Sequence, residues 1–270
     1  MAVTNNGQSV QSIQLINPAT EKVLDNVVVP KSWYGLKFSA NEKFLYASGG
    51  NDNWILKYAV VKNKLVLNDS ISLGKKWPNK ISPAGIDIDD AAQLLYVVTK
   101  DNNSLYIVDL VSKKTLFELQ LGEAAYSCLL SNNKKELYIS LWGGKKVLVF
   151  DIAAQKIAAQ INVGENPNEL LLSKNGNYLF VAIAGDNAVS VIDIKQRKEL
   201  EVLNAALYPD APTGSASNGL AVSEDQKTLY VANADNNCLA VFDISKPGFS
   251  KSKGFIPTGW YPTNVKVVGK

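Results

Sequence analysis

The sequence contains no histidine, and this absence removes several kinds of chemistry at once. Ser-His-Asp and Cys-His nucleophilic pairs are excluded, as are metal sites that depend on imidazole ligands. Histidine is also the commonest general base near neutral pH. Carboxylate chemistry and a cation held by oxygen ligands are the options that remain.

Cysteine, net charge and long apolar runs are also scarce. Cys128 and Cys238 are the only cysteines, and we interpret them as buried free thiols on different strands rather than a disulfide. The balance of 28 basic and 25 acidic residues gives +3, which argues against a nucleic-acid partner. No apolar run approaches the roughly 18 residues of a membrane-spanning helix, and residues 1–8 lack signal-peptide features. We therefore expect no membrane span.

One pattern, in contrast, is repeated along the whole chain. Its clearest copy is LYVANADNNCLAVFDI, and ungapped copies begin at three other leucines, 42 or 50 residues apart. In each copy, two stretches in which apolar residues alternate with other residues are separated by Asn, Asp or Gly. This pattern predicts a β-hairpin. The copies span Leu95 to Leu110, Leu137 to Ile152, Leu179 to Ile194 and Leu229 to Ile244, with looser ones at Leu45 to Val60 and at the start of the chain.

A strand-and-turn repeat of this length predicts the blades of a β-propeller. We expect an all-β chain with one domain, residues 1–270, made of six four-stranded blades. The sixth inner strand, Asn264 to Val268, ends the chain, whereas the first repeat has none. We predict that it pairs with the strand beginning at Ala2 and closes the ring without open edges.

The segment Leu229 to Asn233, with the Asp-Asn-Asn and Val-Phe-Asp-Ile that follow, resembles the YVTN-repeat β-propellers of microbial surface and periplasmic proteins. The resemblance covers nearly the whole chain and implies an extracellular, cell-surface or periplasmic location. Ile256 to Thr263 resembles a segment that precedes a phosphoesterase domain in some of these proteins. That resemblance implies that the chain is the propeller part of a fusion protein, with a C-terminal catalytic domain as its partner. It also leaves seven blades as an alternative for the propeller of the full-length protein.

Few positions of the inner strands have side chains that could take part in catalysis or bind a cation. When the inner strands are aligned, Glu169 stands at a position where the other strands have Gly, Ser or Asn. Lys37, Asp87 and Lys266 share the aligned position two residues further along, and we interpret them as an ion-pair cluster. The sequence predicts no metal site, no catalytic residue and no cofactor. Four aspartates that end third strands are interpreted as caps of the following turns: Asp109, Asp151, Asp193 and Asp243.

Aromatic residues are concentrated at one predicted face, which carries the loops between second and third strands and the links between blades. We expect this face to bind the ligand; packing between blades is the alternative role of the rings. The predicted ligand-binding residues are Trp33, Tyr34, Trp54, Trp77, Tyr126, Trp142, Trp260 and Tyr261, and Trp142 is the strongest candidate for an exposed ring.

These observations favour a non-catalytic binding or scaffold propeller that presents the aromatic face to a peptide, a glycan or an adjoining domain. On this hypothesis the chain is not an enzyme and shows no hydrolytic turnover. Two alternatives stay open: an accessory domain of a secreted phosphoesterase, and a cation-dependent lactonase-like hydrolase. The lactonase would require several carboxylates to converge, and the sequence offers only Asp87 and Glu169.

Overall fold

Six antiparallel sheets follow one another along the chain in a computed structural model that describes residues 1–7, 10–29, 31–76, 78–208 and 210–268. They are the blades of a six-bladed β-propeller, as predicted. Within those ranges the single helical element is a 3₁₀ turn, Gly50–Asp52. No helix in them is long and apolar enough to cross a membrane.

The strands are numbered in chain order, and each blade after the first runs from its inner to its outer strand. The first blade contains β1 (Ala2–Asn5), β2 (Ser12–Asn17) and β3 (Lys22–Val28); the second β4 (Leu36–Phe38), β5 (Phe44–Ser48), β6 (Trp54–Val61) and β7 (Lys64–Ser72); the third β8 (Pro83–Asp89), β9 (Leu94–Thr99), β10 (Ser104–Asp109) and β11 (Thr115–Gln120). The fourth contains β12 (Ala125–Leu130), β13 (Glu136–Leu141), β14 (Lys146–Asp151) and β15 (Lys156–Asn162); the fifth β16 (Pro167–Leu172), β17 (Tyr178–Ile183), β18 (Ala188–Asp193) and β19 (Lys198–Asn204); the sixth β20 (Ser217–Val222), β21 (Thr228–Asn233), β22 (Cys238–Asp243) and β23 (Lys251–Pro257).

The repeat pattern follows from how each strand is buried. Second and third strands such as β9 and β10 are buried along almost their whole length because both of their faces are covered. Outer strands such as β15 alternate between exposed and covered residues. The leucines that lead five repeats are fully buried, and each contributes roughly 1.5–3 kcal/mol of hydrophobic stabilisation. They are Leu45, Leu95, Leu137, Leu179 and Leu229.

The chain divides into two compact units, residues 1–128 and 129–270. Within each unit, an acidic side chain in the bulge of an outer strand binds the following blade. In the first unit, Asp69 of β7 pairs with Lys113 at 2.5 Å. In the second, Glu201 of β19 accepts hydrogen bonds from the backbone N–H groups of Gly248 and Ser250. These interactions attach neighbouring blades to each other outside the apolar core.

Residues 264–268, predicted to form the closing strand, have no strand assignment in the structure. The first sheet has three strands, and residues 264–268 are not assigned to any sheet. This segment nevertheless packs on the sixth blade, because a Cβ added to Gly219 would overlap the backbone of Asn264. In the first unit Gly85 lies equally close to the backbone of Ser127, on the next inner strand. Asn264 therefore occupies, beside the sixth blade, the position that the next inner strand occupies beside the third.

Candidate functional site

Glu169 lies in a β-bulge of β16, the inner strand of the fifth blade. The inner strands β8 and β20 contain the same bulge, and the equivalent residues there are Gly85 and Gly219. Bulges redirect side chains and are frequent beside active sites. Among these three bulges, only the one in the fifth blade therefore presents a carboxylate.

The Glu169 carboxylate is partly accessible and has the ammonium of Lys266 beside it. Its Oε1 lies 3.9 Å from Nζ of Lys266, and the two side chains are 29% and 52% exposed. An ion pair of this length and exposure stabilises the fold little. A carboxylate with access to water and a cation beside it has the two elements of general-base catalysis with charge stabilisation.

A buried amide positions the groups around Glu169. Asn168 is fully buried, and its Oδ1 accepts the backbone N–H of Glu169 at 2.6 Å. Its Nδ2 donates to Oδ1 of Asn218 at 2.6 Å and to the carbonyl oxygen of Ser217 at 3.2 Å. The first of these bonds directs the amide oxygen of Asn218 towards Asn168. The amide nitrogen of Asn218, a hydrogen-bond donor, therefore faces away from Asn168.

Asn168 and Asn218 were not predicted as site residues from the sequence. The available signal was the Asn-Glu and Asn-Gly pairs at the start of two successive inner strands. A buried asparagine at such a position is explained by the hydrogen bonds it must satisfy, and those partners come from a different repeat.

Lys37 and Asp87 form the predicted ion pair in the first unit. Nζ of Lys37 lies 2.8 Å from Oδ1 of Asp87, whose side chain is 3% exposed and also accepts the backbone N–H of Ile88. Lys266, which was predicted to join this pair, is instead placed beside Glu169. Asp87 is thus held in a buried structural pair and is a poor candidate for proton transfer.

The remaining predicted polar roles are structural. Each of the four third-strand aspartates accepts backbone N–H groups of the turn that follows it. Hydrogen bonds from the backbone and side chain of Ser112 hold the pKa of Asp109 below the ordinary value, and those from the side chain and backbone of Ser245 do the same for Asp243. Both cysteines are free, and burial raises the pKa of the Cys128 thiol. Within the described ranges, no group of three metal-ligating side chains was found.

The aromatic residues of the first unit fall into two groups. The ring of Tyr34 stacks on that of Tyr126, with 4.1 Å between centroids, and its hydroxyl donates to the Tyr126 carbonyl oxygen. Trp33 is tilted against Tyr34 at 6.0 Å. Trp54 packs against Gly49. Trp77 lies outside the described residues.

Among the described residues, the most exposed rings lie in the second unit. Trp260 is 87% exposed and lies 5.9 Å from the ring of Tyr261. Trp142, the strongest candidate for an exposed ring, is exposed at 36%. Tyr261 has a φ of 61°, which is unusual for an aromatic residue, and its backbone N–H donates to Oδ1 of Asn237.

Comparisons with known proteins agree with this geometry. The family model of the YNCE-like beta-propellers matches residues 2–265, and the chain therefore belongs to this family. The β-propeller recognised from the sequence repeats is thereby confirmed, and the YVTN-repeat name is close to the family found. A search of curated proteins found no match.

Several solved propellers are similar in fold. A periplasmic gluconolactonase of Pseudomonas aeruginosa is 16% identical with a TM-score of 0.76, and the match covers 95% of this chain and 81% of that one. Hydrazine synthase of Kuenenia stuttgartiensis is 16% identical with a TM-score of 0.72, covering 95% and 83%. A protein from Lactobacillus plantarum is 17% identical with a TM-score of 0.77, covering 95% and 81%. At these identities the similarity shows the fold alone.

Two functional expectations are corrected by these findings. The interpretation as a non-catalytic binding scaffold is wrong, and so is the exclusion of enzymatic activity, because propellers of this fold include a gluconolactonase and a hydrazine synthase. The error was to treat the missing histidine as evidence against catalysis. An accessible carboxylate can act as a general base without it.

Proposed function

We propose that this chain hydrolyses the ester bond of a sugar lactone, with Glu169 as the general base. The observation that carries the proposal is the bulge of β16, which presents an accessible carboxylate where β8 and β20 have glycine. The gluconolactonase of the same fold supports the substrate class.

The reaction uses Glu169, Lys266 beside it, and Asn218, which is bonded to the neighbouring Asn168. The carboxylate takes a proton from water as the water oxygen attacks the lactone carbonyl carbon. The ammonium of Lys266 and the amide nitrogen of Asn218 stabilise the negative charge that develops on the carbonyl oxygen. The bond from that carbon to the ring oxygen then breaks, and the ring oxygen receives the proton from Glu169. The product is the open-chain hydroxy acid.

The test is hydrolysis of gluconolactone by the full chain, corrected for the spontaneous rate. Removing a general base typically lowers the rate by about 10² to 10⁴. We therefore expect Glu169→Gln to abolish measurable turnover and Lys266→Gln to reduce kcat. Glu165→Gln is the matched control, because Glu165 is exposed, pairs with Lys145 and lies outside the bulge. Equal turnover in the wild type and Glu169→Gln, or no turnover in the wild type, would reject the proposal.

The location and the finer associations are proposals as well. We place the activity outside the cytoplasm; the YVTN-repeat resemblance and the periplasmic location of the gluconolactonase support this placement. Fractionation of cells that express the natural gene checks it. The ligand-binding role of the predicted aromatic residues, the link to a phosphoesterase and the C-terminal partner domain remain predictions, and the encoded sequence beyond Lys270 tests the last two.

A further inference from the structure

Two tryptophans of the first unit lie against consecutive glycines. A Cβ added to Gly49 would overlap the indole of Trp54, and one added to Gly50 would overlap the indole of Trp33. Consecutive Cα atoms are about 3.8 Å apart. The two indoles therefore lie against neighbouring positions of one loop, which only glycine can occupy without displacing them.

Each indole also has a lysine ammonium over its ring. Nζ of Lys100 lies 4.6 Å from the ring centroid of Trp33, and Nζ of Lys76 lies 5.3 Å from that of Trp54. Both lysines are exposed. Cation–π interactions at exposed sites are weak. A ligand can therefore displace either ammonium from the ring and still pair with it.

The charges around the rings indicate what kind of ligand fits. Lys31 is neutralised by Asp52 at 3.2 Å, and a second acid, Asp101, accepts a hydrogen bond from Ser82 nearby in the same unit. The loops that carry these rings therefore hold acids as well as the exposed cations Lys75, Lys76 and Lys100. A polyphosphate strand needs a continuous row of cations, and these acids oppose it.

We propose that Trp33 and Trp54, with Lys100 and Lys76, form a binding site for an acidic saccharide, whose sugar rings carry carboxylates. The sugar rings pack on the indoles, and the lysines form charge-assisted hydrogen bonds with the carboxylates. This site is built entirely from the first unit and does not depend on the activity proposed for Glu169.

Titration of the full chain with trigalacturonate tests the site, with tryptophan fluorescence and calorimetry as readouts. We expect saturable binding that becomes about tenfold weaker in the double variant Lys76→Gln/Lys100→Gln, because neither side chain can then pair with a carboxylate. Uncharged maltotriose should bind more weakly than trigalacturonate. Exposed lysines can be replaced without unfolding the chain, and circular dichroism verifies this.

Lys246→Gln is the matched control, since Lys246 is an exposed lysine over the ring of Phe249 at 4.4 Å in the second unit. It should bind trigalacturonate as the wild type does. Three results would overturn the proposal: no binding of trigalacturonate, equal affinity of the double variant, or tighter lysine-dependent binding of a single-stranded oligonucleotide.

Discussion

Glu201 in the fifth blade accepts a hydrogen bond from the hydroxyl of Ser250 in the sixth, at 2.6 Å. The same carboxylate accepts the backbone N–H groups of Ser250 and Gly248, so one side chain orders the turn that opens the last outer strand. Glu201 occupies the bulge position of its outer strand, where Asp25 and Asp69 stand in the first two blades. An acid therefore occupies this position in three of the six outer strands.

Glu201→Ala should lower the free energy of unfolding by about 2 kcal/mol. The substitution leaves three donors without their acceptor, and a donor that loses its partner costs roughly 1–3 kcal/mol when it stays shielded from water. Urea unfolding followed by circular dichroism measures the change. Glu224→Ala is the control, because Glu224 is exposed and should alter stability by less than about 0.5 kcal/mol. Equal stability of the two variants would show that the turn is ordered without Glu201.

The sequence predicted the blades well, because each blade is a local pattern. The alternation around Leu95 and Leu179 already reports two buried strands, and a repeat of this kind leaves few topologies. The site was less predictable, since it depends on a bulge, on the bond from Asn168 to Asn218 and on the pairing of Glu169 with Lys266, and both partners are distant in sequence. The closing strand was predicted only by counting the strands of each repeat. Such a count does not tell whether residues 264–268 form the hydrogen bonds of a β-ladder.

Lys145→Asn should raise the melting temperature by about 1–2 °C. Lys145 has a φ of 50° in the position before a third strand, where four other blades have asparagine: Asn53, Asn103, Asn187 and Asn237. Asparagine tolerates this left-handed conformation better than lysine. The substitution also removes the ion pair between Lys145 and Glu165, but that pair is exposed and contributes little to stability. Thermal unfolding followed by circular dichroism measures the gain.

The reciprocal change, Asn187→Lys, is the control for that gain. Oδ1 of Asn187 accepts the backbone N–H groups of Gly214 and Ser215 and the Ser215 hydroxyl, so the variant should lose about 2–3 kcal/mol. If both substitutions lower the melting temperature, the conformational preference at this position is not the controlling factor.

The protein should unfold in base between about pH 10 and about pH 12. Burial raises the pKa of Tyr46, Tyr96 and Tyr106 to about 12, above the ordinary value of 10.0. A tyrosine whose folded pKa is raised favours the folded state fully below pH 10.0, and this contribution is lost as the pH rises towards the folded value. Circular dichroism and tyrosinate absorbance, followed together, measure the transition.

Tyr96→Phe should move this alkaline transition to higher pH, since it removes one group whose ionisation opposes folding. Tyr208→Phe is the matched control, because Tyr208 is exposed and should leave the transition where it is. The interpretation fails if tyrosinate absorbance reaches its full value at pH 10.0 while the structure is intact.

Gly219→Ala should destabilise the second unit by about 1–3 kcal/mol, the usual cost of forcing an extra methyl group into packed structure. The added Cβ would overlap the backbone of Asn264, so the segment that carries Lys266 must move. We therefore expect Lys266 to shift from Glu169 and lactone turnover to fall beyond what the loss of stability explains.

Gly259→Ala is the control, since its Cβ would meet no atom within 4 Å and should leave stability unchanged or slightly raised. Thermal unfolding of both variants, with turnover measured well below the melting temperature, separates the two effects. Wild-type stability in Gly219→Ala would mean that the terminal segment does not pack on the sixth blade.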